Sequence, residues 1–559
     1  MVLARTKKKP EVEDNSVLDF LNRYHTALLA VLVIAGISLR LFHFFDNRSF
    51  WIDELYLNVS TVKMSFMELL TMPMDYEQKA PLGYLWMLRL SVLLFGKQEM
   101  SLRLFSLIGG IGSLLLMVPI ASYYLRSWAV LLAISIVALG EPFIYHATEA
   151  KQYSTELFAS VIAIYCLVKF QNTLKLGYLL LWGFVGALLV WFSYSSIFVL
   201  AGIAMVISLN SLLNRQWREF FLRLIPFTVW LFSFAAVYYF FLRKYEDSGW
   251  LKNFFDVMYH AYMPMPPTNA TELVWPVYAN YTLLERNLGM LVKFGNITDY
   301  SLMQTVLRMP LLPLLLELVG VIALFRKNKY RLFILVTPIL LAVVASMFKF
   351  YPFYERFILF LAPIFILLIA YGAQEVANVF TASKRKIVIP ILLLFILAPL
   401  VWNAVRFTAN PGKLYKKEYN REAMLYVNDR YKEGDAVYVY WTMNHAYKYY
   451  KEAYSLKYTA VGREDIRRTS TSKADYYNKI VQQLGDLSGK KRLWVINNPW
   501  LRNNIGEYPG KAPKWYHDVN FEPALSLDKK ITELGAVPID SLQLRSIDVK
   551  LYDLTNKPQ

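Results

Sequence analysis

Apolar runs of about twenty residues, the length that crosses a bilayer as a helix, recur along the first four hundred residues. They fall near 26–45, 103–123, 128–144, 154–169, 177–194, 196–213, 224–242, 303–325, 332–348, 357–376 and 387–405. A further segment from Leu82 to Gly96 is interrupted by Arg89 and bounded by Pro81 and Gly96. At about fifteen apolar residues it is too short to span and reads as a helix lying against the interface. The pattern predicts a polytopic α-helical membrane protein of about eleven transmembrane helices plus interfacial helices. Beyond residue 406 the period changes. Helices near 420–431, 444–453 and 473–486 alternate with strands at Ala436–Tyr440, Leu493–Ile496 and near 546–553, an α/β pattern.

Charge sets the direction of the chain. Basic clusters at Arg5–Lys9, Lys169/Lys175, Arg215/Arg218/Arg223, Arg326–Lys329 and Lys384–Lys386 alternate with less basic connections, the positive-inside pattern of a cytoplasmic face. Had the 82–96 segment spanned, the last two clusters would lie outside. The expected organisation is therefore a cytoplasmic N-terminus (1–25) and a membrane domain (26–405) with outer loops 46–102 and 243–302. An extracytoplasmic α/β domain (406–559) follows. No cleavage site follows the first run, which reads as an uncleaved span of a multi-pass protein of the plasma (inner) membrane. Arg40, near the outer end of that run, is expected to snorkel.

Composition agrees. Of 559 residues, 56% are hydrophobic and 18% charged, where a soluble domain carries about a quarter charged. The net charge of +18 is scattered between apolar runs, not gathered into a patch interleaved with exposed aromatics, so nucleic acid is not the partner. The single cysteine, Cys166, excludes an intrachain disulfide and a cysteine zinc site. Asn-x-Ser/Thr triplets begin at Asn47, Asn58, Asn269, Asn280 and Asn296. No Walker A, GxGxxG or GxSxG pattern occurs in the tail.

The first outer loop carries adjacent carboxylates, Asp53 and Glu54, just past a hydrophobic helix and wrapped in Phe50, Trp51 and Tyr56. Carboxylates at a bilayer surface need solvation or a partner; the plain alternative is that they charge the first turn of an interfacial helix. The same face gathers Lys79, Arg89 and Arg103, then His146, Glu149, Lys151 and Tyr153, and finally Tyr351, Tyr354, Glu355 and Arg356. Their bland readings are lipid-headgroup snorkelling for Lys79 and Arg89, packing for His146, a solvated pair for Glu149 and Lys151, and an aromatic belt for the tyrosines. Together they suit a reaction on an anionic lipid carrier: Lys79 and Arg356 hold a phosphate, and a carboxylate takes the proton of an incoming hydroxyl.

Four motifs in order carry a resemblance: Trp51-Ile52-Asp53-Glu54, Lys79-Ala80-Pro81-Leu82-Gly83-Tyr84, Phe95-Gly96-Lys97-Gln98-Glu99-Met100-Ser101-Leu102-Arg103-Leu104 and Glu149-Ala150-Lys151-Gln152-Tyr153. Over roughly residues 26–200 the chain resembles the GT-C lipid-linked glycosyltransferases. The likeness is to the protein O-mannosyltransferase group (glycosyltransferase family 39) and the bacterial lipid A aminoarabinose transferase. Glu355-Arg356-Phe357 with Pro363 resembles the family's late Arg-aromatic…Pro span. The resemblance implies a GT-C fold, a catalytic carboxylate at Asp53, carrier-phosphate contacts at Lys79 and Arg356, and a supporting acid at Glu149. Tyr84 and Tyr351 join as candidate phosphate contacts, and Glu54, His146 and Tyr153 as supporting or substrate-binding residues. Gln78 stands where the related transferase has Glu, and Lys151 where many relatives have Arg. The expected function is inverting transfer of a sugar from a polyprenyl-phosphate donor to a hydroxyl or phosphate acceptor. That acceptor is a protein, a lipid A-like molecule or a glycan, reached at the outer face. No metal constellation stands out; a divalent cation is left open. The alternatives are a transporter or lipid flippase of envelope glycan assembly, which would need central charges and repeated halves, and a non-catalytic assembly protein.

Overall fold

A computed structural model of the chain describes residues 16–244, 249–292, 310–380, 382–484, 487, 489–508, 513–517 and 523–555. Arg5–Lys9, Asp247, Ser248, Asn296 and the start of the run expected near 303 lie outside the described residues.

Helices occupy all eleven expected positions. Among the described residues eight are long and apolar enough to cross a membrane unaided. A ninth arises if Ser127–Leu139 and Glu141–Ala147, bent by 48°, count together. The other two, Leu176–Phe192 and Leu311–Lys327, have 17 residues each. The chain is a multi-pass membrane protein. The short segment is a 14-residue helix, Leu82–Phe95, about 21 Å long and short of the ~30 Å hydrocarbon core. Leu82, Tyr84, Leu85 and Leu88 are buried, while Leu93, Leu94 and Phe95 are exposed. Glu355–Val379 is the most enclosed of the long helices. It passes Leu311–Lys327 at Gly320 and Gly372, where a Cβ on either would meet the other helix's backbone; small residues permit this backbone approach.

The basic loops meet at one end. Arg126 bonds Asn378 and, through its amide, Gln374. Lys327 pairs with Glu375, and Arg223 donates to the Gln171 carbonyl, whose side chain reaches Tyr123. Arg40 departs from expectation. It is 1% exposed, and its guanidinium donates to the carbonyls of Gly36 and Val137, both at 2.8 Å. The helix break at Gly140 leaves the last carbonyls of Ser127–Leu139 without intrahelical donors, and Arg40 supplies them from inside the bundle.

The tail forms a five-stranded mixed sheet: β1 (Ala436–Val439), β2 (Val461–Gly462), β3 (Arg492–Asn497), β4 (Val537–Gln543) and β5 (Asp548–Asp553), in the order β2-β1-β3-β5-β4. β1 runs parallel to β2 and β3, whereas β5 is antiparallel to β3 and β4. Alternation along the strands gives two cores. Tyr438, Leu493, Val495 and Tyr552 pack toward Lys473–Leu484 and Pro523–Glu533. Val437, Trp494, Ile496 and Leu551 share a second core with Phe50, Leu55, Leu69 and Leu88. The tail and the 50–95 segment are thus packed as one body.

Polar bonds fix the docking. Glu99, fully buried, accepts from Tyr450 at 3.0 Å and Tyr454 at 2.6 Å, and pairs with Arg421 at 3.3 Å. Glu99→Ala takes the nearer of two carboxylates from the partly buried Arg421 guanidinium, which keeps only Glu422 at 3.7 Å, and strips Tyr450 and Tyr454 of their acceptor, costing about 3 kcal/mol. Hydrogen exchange is then expected to accelerate through helix Asn444–Tyr454 while the membrane helices keep their protection.

Candidate active site

Helix Ile52–Thr61 begins with Asp53 and Glu54 in its first turn, where carboxylates favour the helix dipole. Successive helical residues point about 100° apart, and the two have opposite fates. Glu54 is fully buried. Arg103 grips it through Nε and Nη2, both at 3.0 Å, and the Ala150 amide donates at 2.8 Å. Arg103 also holds the Arg48 carbonyl at 2.6 Å and lies over the Phe50 ring. Asp53 instead faces an opening, and its Oδ2 lies 2.7 Å from Nη2 of Arg356.

Arg356 enters from the other side of the molecule. It follows Glu355, whose φ of 38° is left-handed and costly for a residue with a Cβ. That conformation is held by Arg286, which pairs with the Glu355 carboxylate, and by Asn287, which donates to its carbonyl at 2.6 Å. Arg356 stands between the rings of Trp51, Tyr153 and Phe357, each 5.6 Å away.

Glu149, buried, is the second anion. It accepts from the Trp51 indole at 3.0 Å and from His146 Nδ1 at 2.7 Å. Burial alone pushes its carboxyl up, but the hydrogen bond and charge of His146, with Lys417 and Arg356, outweigh burial and hold it well below the usual carboxylate range. Lys151 is also buried and donates to Gln78 at 2.8 Å; burial pulls its amine below the ordinary value although Asp53 is near. So Gln78 and Lys151 form a matched pair.

Two cavities flank Arg356. One, about 380 Å³, contains His146, Glu149, Glu285, Arg286 and Lys417. The other, about 480 Å³, contains Asp53 and Gln78 and is walled by Trp250, Phe255, Tyr259 and the Trp500–Ile505 segment of the tail. The structure brings Asp53, Glu149, His146, Tyr153 and Arg356 together. It does not bring Lys79 into the lining of either cavity. Tyr84 is buried with its hydroxyl 3.3 Å from Ser106, and the Tyr351 hydroxyl donates to the Phe357 carbonyl at 2.7 Å. Tyr84 and Tyr351 therefore pack beneath the site.

Three participants are not marked in the sequence. Lys417 places its ammonium 3.4 Å from the Trp51 ring centre, Arg286 comes from the 250–292 loop, and Glu418 accepts from Asn420 at 2.7 Å. Lys416-Lys417-Glu418 reads as a solvated linker. Among the described residues, no group of three or more His, Cys, Asp or Glu is arranged to hold a metal.

The whole chain superposes on a known architecture. The crystal structure of ArnT from Cupriavidus metallidurans bound to undecaprenyl phosphate matches with a TM-score of 0.53 at 12% identity, covering 97% of this chain and 100% of that one. This is a GT-C fold. The apo form of the same ArnT gives 0.50 at 11% identity, covering 95% and 98%. Archaeal oligosaccharyltransferase AglB from Archaeoglobus fulgidus, in complex with an inhibitory peptide and a dolichol-phosphate, gives 0.45 at 14% identity, covering 85% and 70%. Residues 79–241 match the dolichyl-phosphate-mannose-protein mannosyltransferase family. That region contains Lys79, Arg103, Glu149 and Lys151 and excludes Asp53 and Arg356. No curated protein matches at the sequence level. Family match and fold together support glycosyl transfer.

Two tests follow from this geometry. Glu54→Gln strands the buried Arg103 charge and is expected to cost about 3–5 kcal/mol, read as a lower denaturation midpoint. Burial pushes the Glu418 carboxyl up to about 7, with Asn420 opposing and the nearby Asp53 charge adding to the rise. The folded state therefore keeps this proton after the unfolded chain has lost it. Stability falls as pH rises from 4.5 toward 7 and then levels. Glu418→Gln should flatten that slope in melting temperatures measured across the window.

Proposed function

We propose that the protein transfers a sugar, with inversion, from a polyprenyl-phosphate donor to an acceptor hydroxyl, using Asp53 as general base. The observation that carries this reading is the Asp53–Arg356 pair at the junction of the two cavities. A carboxylate 2.7 Å from a guanidinium supports the reading of one as proton acceptor and the other as anion-binding group. The supporting context is the family match and the GT-C fold.

The acceptor oxygen attacks the anomeric carbon as its proton passes to Asp53. The bond from that carbon to the phosphate oxygen breaks, and the electron pair leaves with polyprenyl phosphate. This leaving group is already a stable anion, so no general acid is needed. It needs positive charge where its oxygens collect, which is the task of Arg356, with Lys417 and Arg286 across the cavity. Arg356 then exchanges one anion, Asp53, for another, and the donor phosphate frees the carboxylate to accept a proton. Lys79, the candidate from sequence, serves as a second phosphate contact only if the site closes further around the donor. Glu149 anchors Trp51 and His146 and so fixes the wall that Arg356 stacks on. Helix Trp250–Tyr259 covers the site through Phe255 on Phe357 and Tyr259 beside Tyr354. It shields the donor from water, which would otherwise take the acceptor's place.

Purified protein with a polyprenyl-phosphate-linked labelled sugar and an envelope extract as acceptor tests the reaction. Asp53→Asn should abolish transfer and retain donor binding, and wild-type turnover by this variant sinks the assignment. Arg356→Ala should lower kcat/KM by about 10²–10³-fold, the usual loss for one preorganised charge-stabilising donor, with Arg356→Lys recovering part of it.

A further inference from the structure

The seam between the tail and helix Ile52–Thr61 holds a third cavity, about 190 Å³, that no step of the reaction uses. It shares Tyr56, Leu501 and Asn504 with the Asp53 cavity, so the two are neighbours. Its walls are of two kinds. Flat rings come from Tyr56 and Tyr76, stacked 4.6 Å apart at 24°, and from Trp441. Planar or forked polar groups come from Asn444, Arg463 and Asp465.

Four residues that line it each carry a polar atom buried without a hydrogen-bond partner: Tyr76 OH, Trp441 Nε1, Asn444 Oδ1 and Arg463 Nε. Trp441 as a residue is only 6% exposed. Buried polar atoms are paired in folded proteins in the great majority of cases, and leaving one unpaired is destabilising. Four around one cavity mark a place built to bond something. The surrounding frame is well satisfied by contrast. Arg467 lies 4.0 Å over the Trp441 ring, grips Asp465 at 2.8 and 2.7 Å, and reaches Glu507 at 3.1 Å. That network fixes the Trp441 ring and the Asp465 carboxylate where they line the cavity.

We infer that this seam cavity binds a sugar ring of the acceptor, one unit removed from the hydroxyl that reacts at Asp53. Aromatic faces receive the apolar face of a pyranose, while three donors and an acceptor at its edge match the hydroxyls of a polyol. The cavity contains neither Asp53 nor Arg356. A sugar still attached to the donor phosphate must lie beside both, so the ring in the seam belongs to the acceptor. Trp500, 77% exposed at the lip of the Asp53 cavity, offers a further ring along the same path. The inference deepens the proposed transfer reaction and rests on it for the direction in which the acceptor lies.

The test uses the full chain in lipid nanodiscs and saturation-transfer NMR with the methyl glycosides of glucose, galactose, mannose and N-acetylglucosamine. A serine-containing peptide is the competing probe, and undecaprenyl phosphate is titrated separately. At least one glycoside should bind. Trp441→Phe, which keeps an aromatic face and removes the N–H, and Asn444→Ala should each weaken it about tenfold, the cost of one lost buried partner. Undecaprenyl phosphate affinity should stay unchanged in both variants, which also confirms folding. Binding of no glycoside, binding indifferent to both substitutions, or binding of the peptide alone overturns the inference. Glycoside binding without any undecaprenyl phosphate binding instead sinks the donor reading and leaves the seam site standing.

Discussion

A carboxylate sealed from water, Glu54, determines where everything else in the site can stand. Its two oxygens are shared between the Arg103 guanidinium and the Ala150 amide. One side chain thereby joins the first loop, the helix Glu99–Tyr124 and the turn that carries Glu149. Removing two charges from water is costly unless each remaining lone pair and proton finds a partner. Arg103 meets that condition with its third bond, to the Arg48 carbonyl. Such a pair contributes little net stability over a well-packed apolar substitute, but it tolerates few alternative registers. Its value here is that it fixes the rotation of helix Ile52–Thr61.

Fixing that rotation separates the roles of two adjacent carboxylates. With Glu54 turned inward, the neighbouring Asp53 must open toward Arg356 and the aromatic cavity. The same reasoning extends to Trp51, whose indole is tied to Glu149 and whose face carries Lys417. Arg356 is positioned from the far side by a different device, a strained Glu355 backbone pinned by Arg286 and Asn287. Residues more than three hundred positions apart are thus brought within hydrogen-bond distance by two independent anchors, one a buried ion pair and one a backbone constraint.

The sequence reveals the parts of this arrangement that obey a period or a membrane rule. Apolar runs located the helices, and basic clusters placed Lys327 and Arg223 at a common end. Asp53, Glu149 and Arg356 were visible because charge beside a hydrophobic helix demands a partner. Arg40 was misread: snorkelling is the default for a lone arginine near a helix end, and only the break at Gly140 creates the inward carbonyls that attract it. β4 was missed because Pro538 argues against a strand. An edge strand tolerates proline, and here a register irregularity lies between Pro538 and Asp540. Lys417, Glu418 and the Trp500–Ile505 wall were invisible for another reason. Their function depends on how the tail docks, and docking is set by tertiary contacts such as Glu99 with Tyr450 that leave no local pattern.

Docking is also what makes the tail part of the Asp53 cavity instead of an appendage. The core that begins at Phe50 and Leu55 continues without interruption into Trp494 and Ile496 of the sheet. A tail free to pivot would leave those side chains in water and open the Asp53 cavity on one side. Glu418 shows the coupling in a single residue. It belongs to the linker after the last membrane helix, bonds the backbone at Ile52, and feels the charge of Asp53. The linker therefore caps the helix that presents Asp53, and the rotation imposed by Glu54 is braced in the same first turn by the tail. A helix of ten residues could not hold a carboxylate in register against a guanidinium on its own, and these two attachments supply what its length does not.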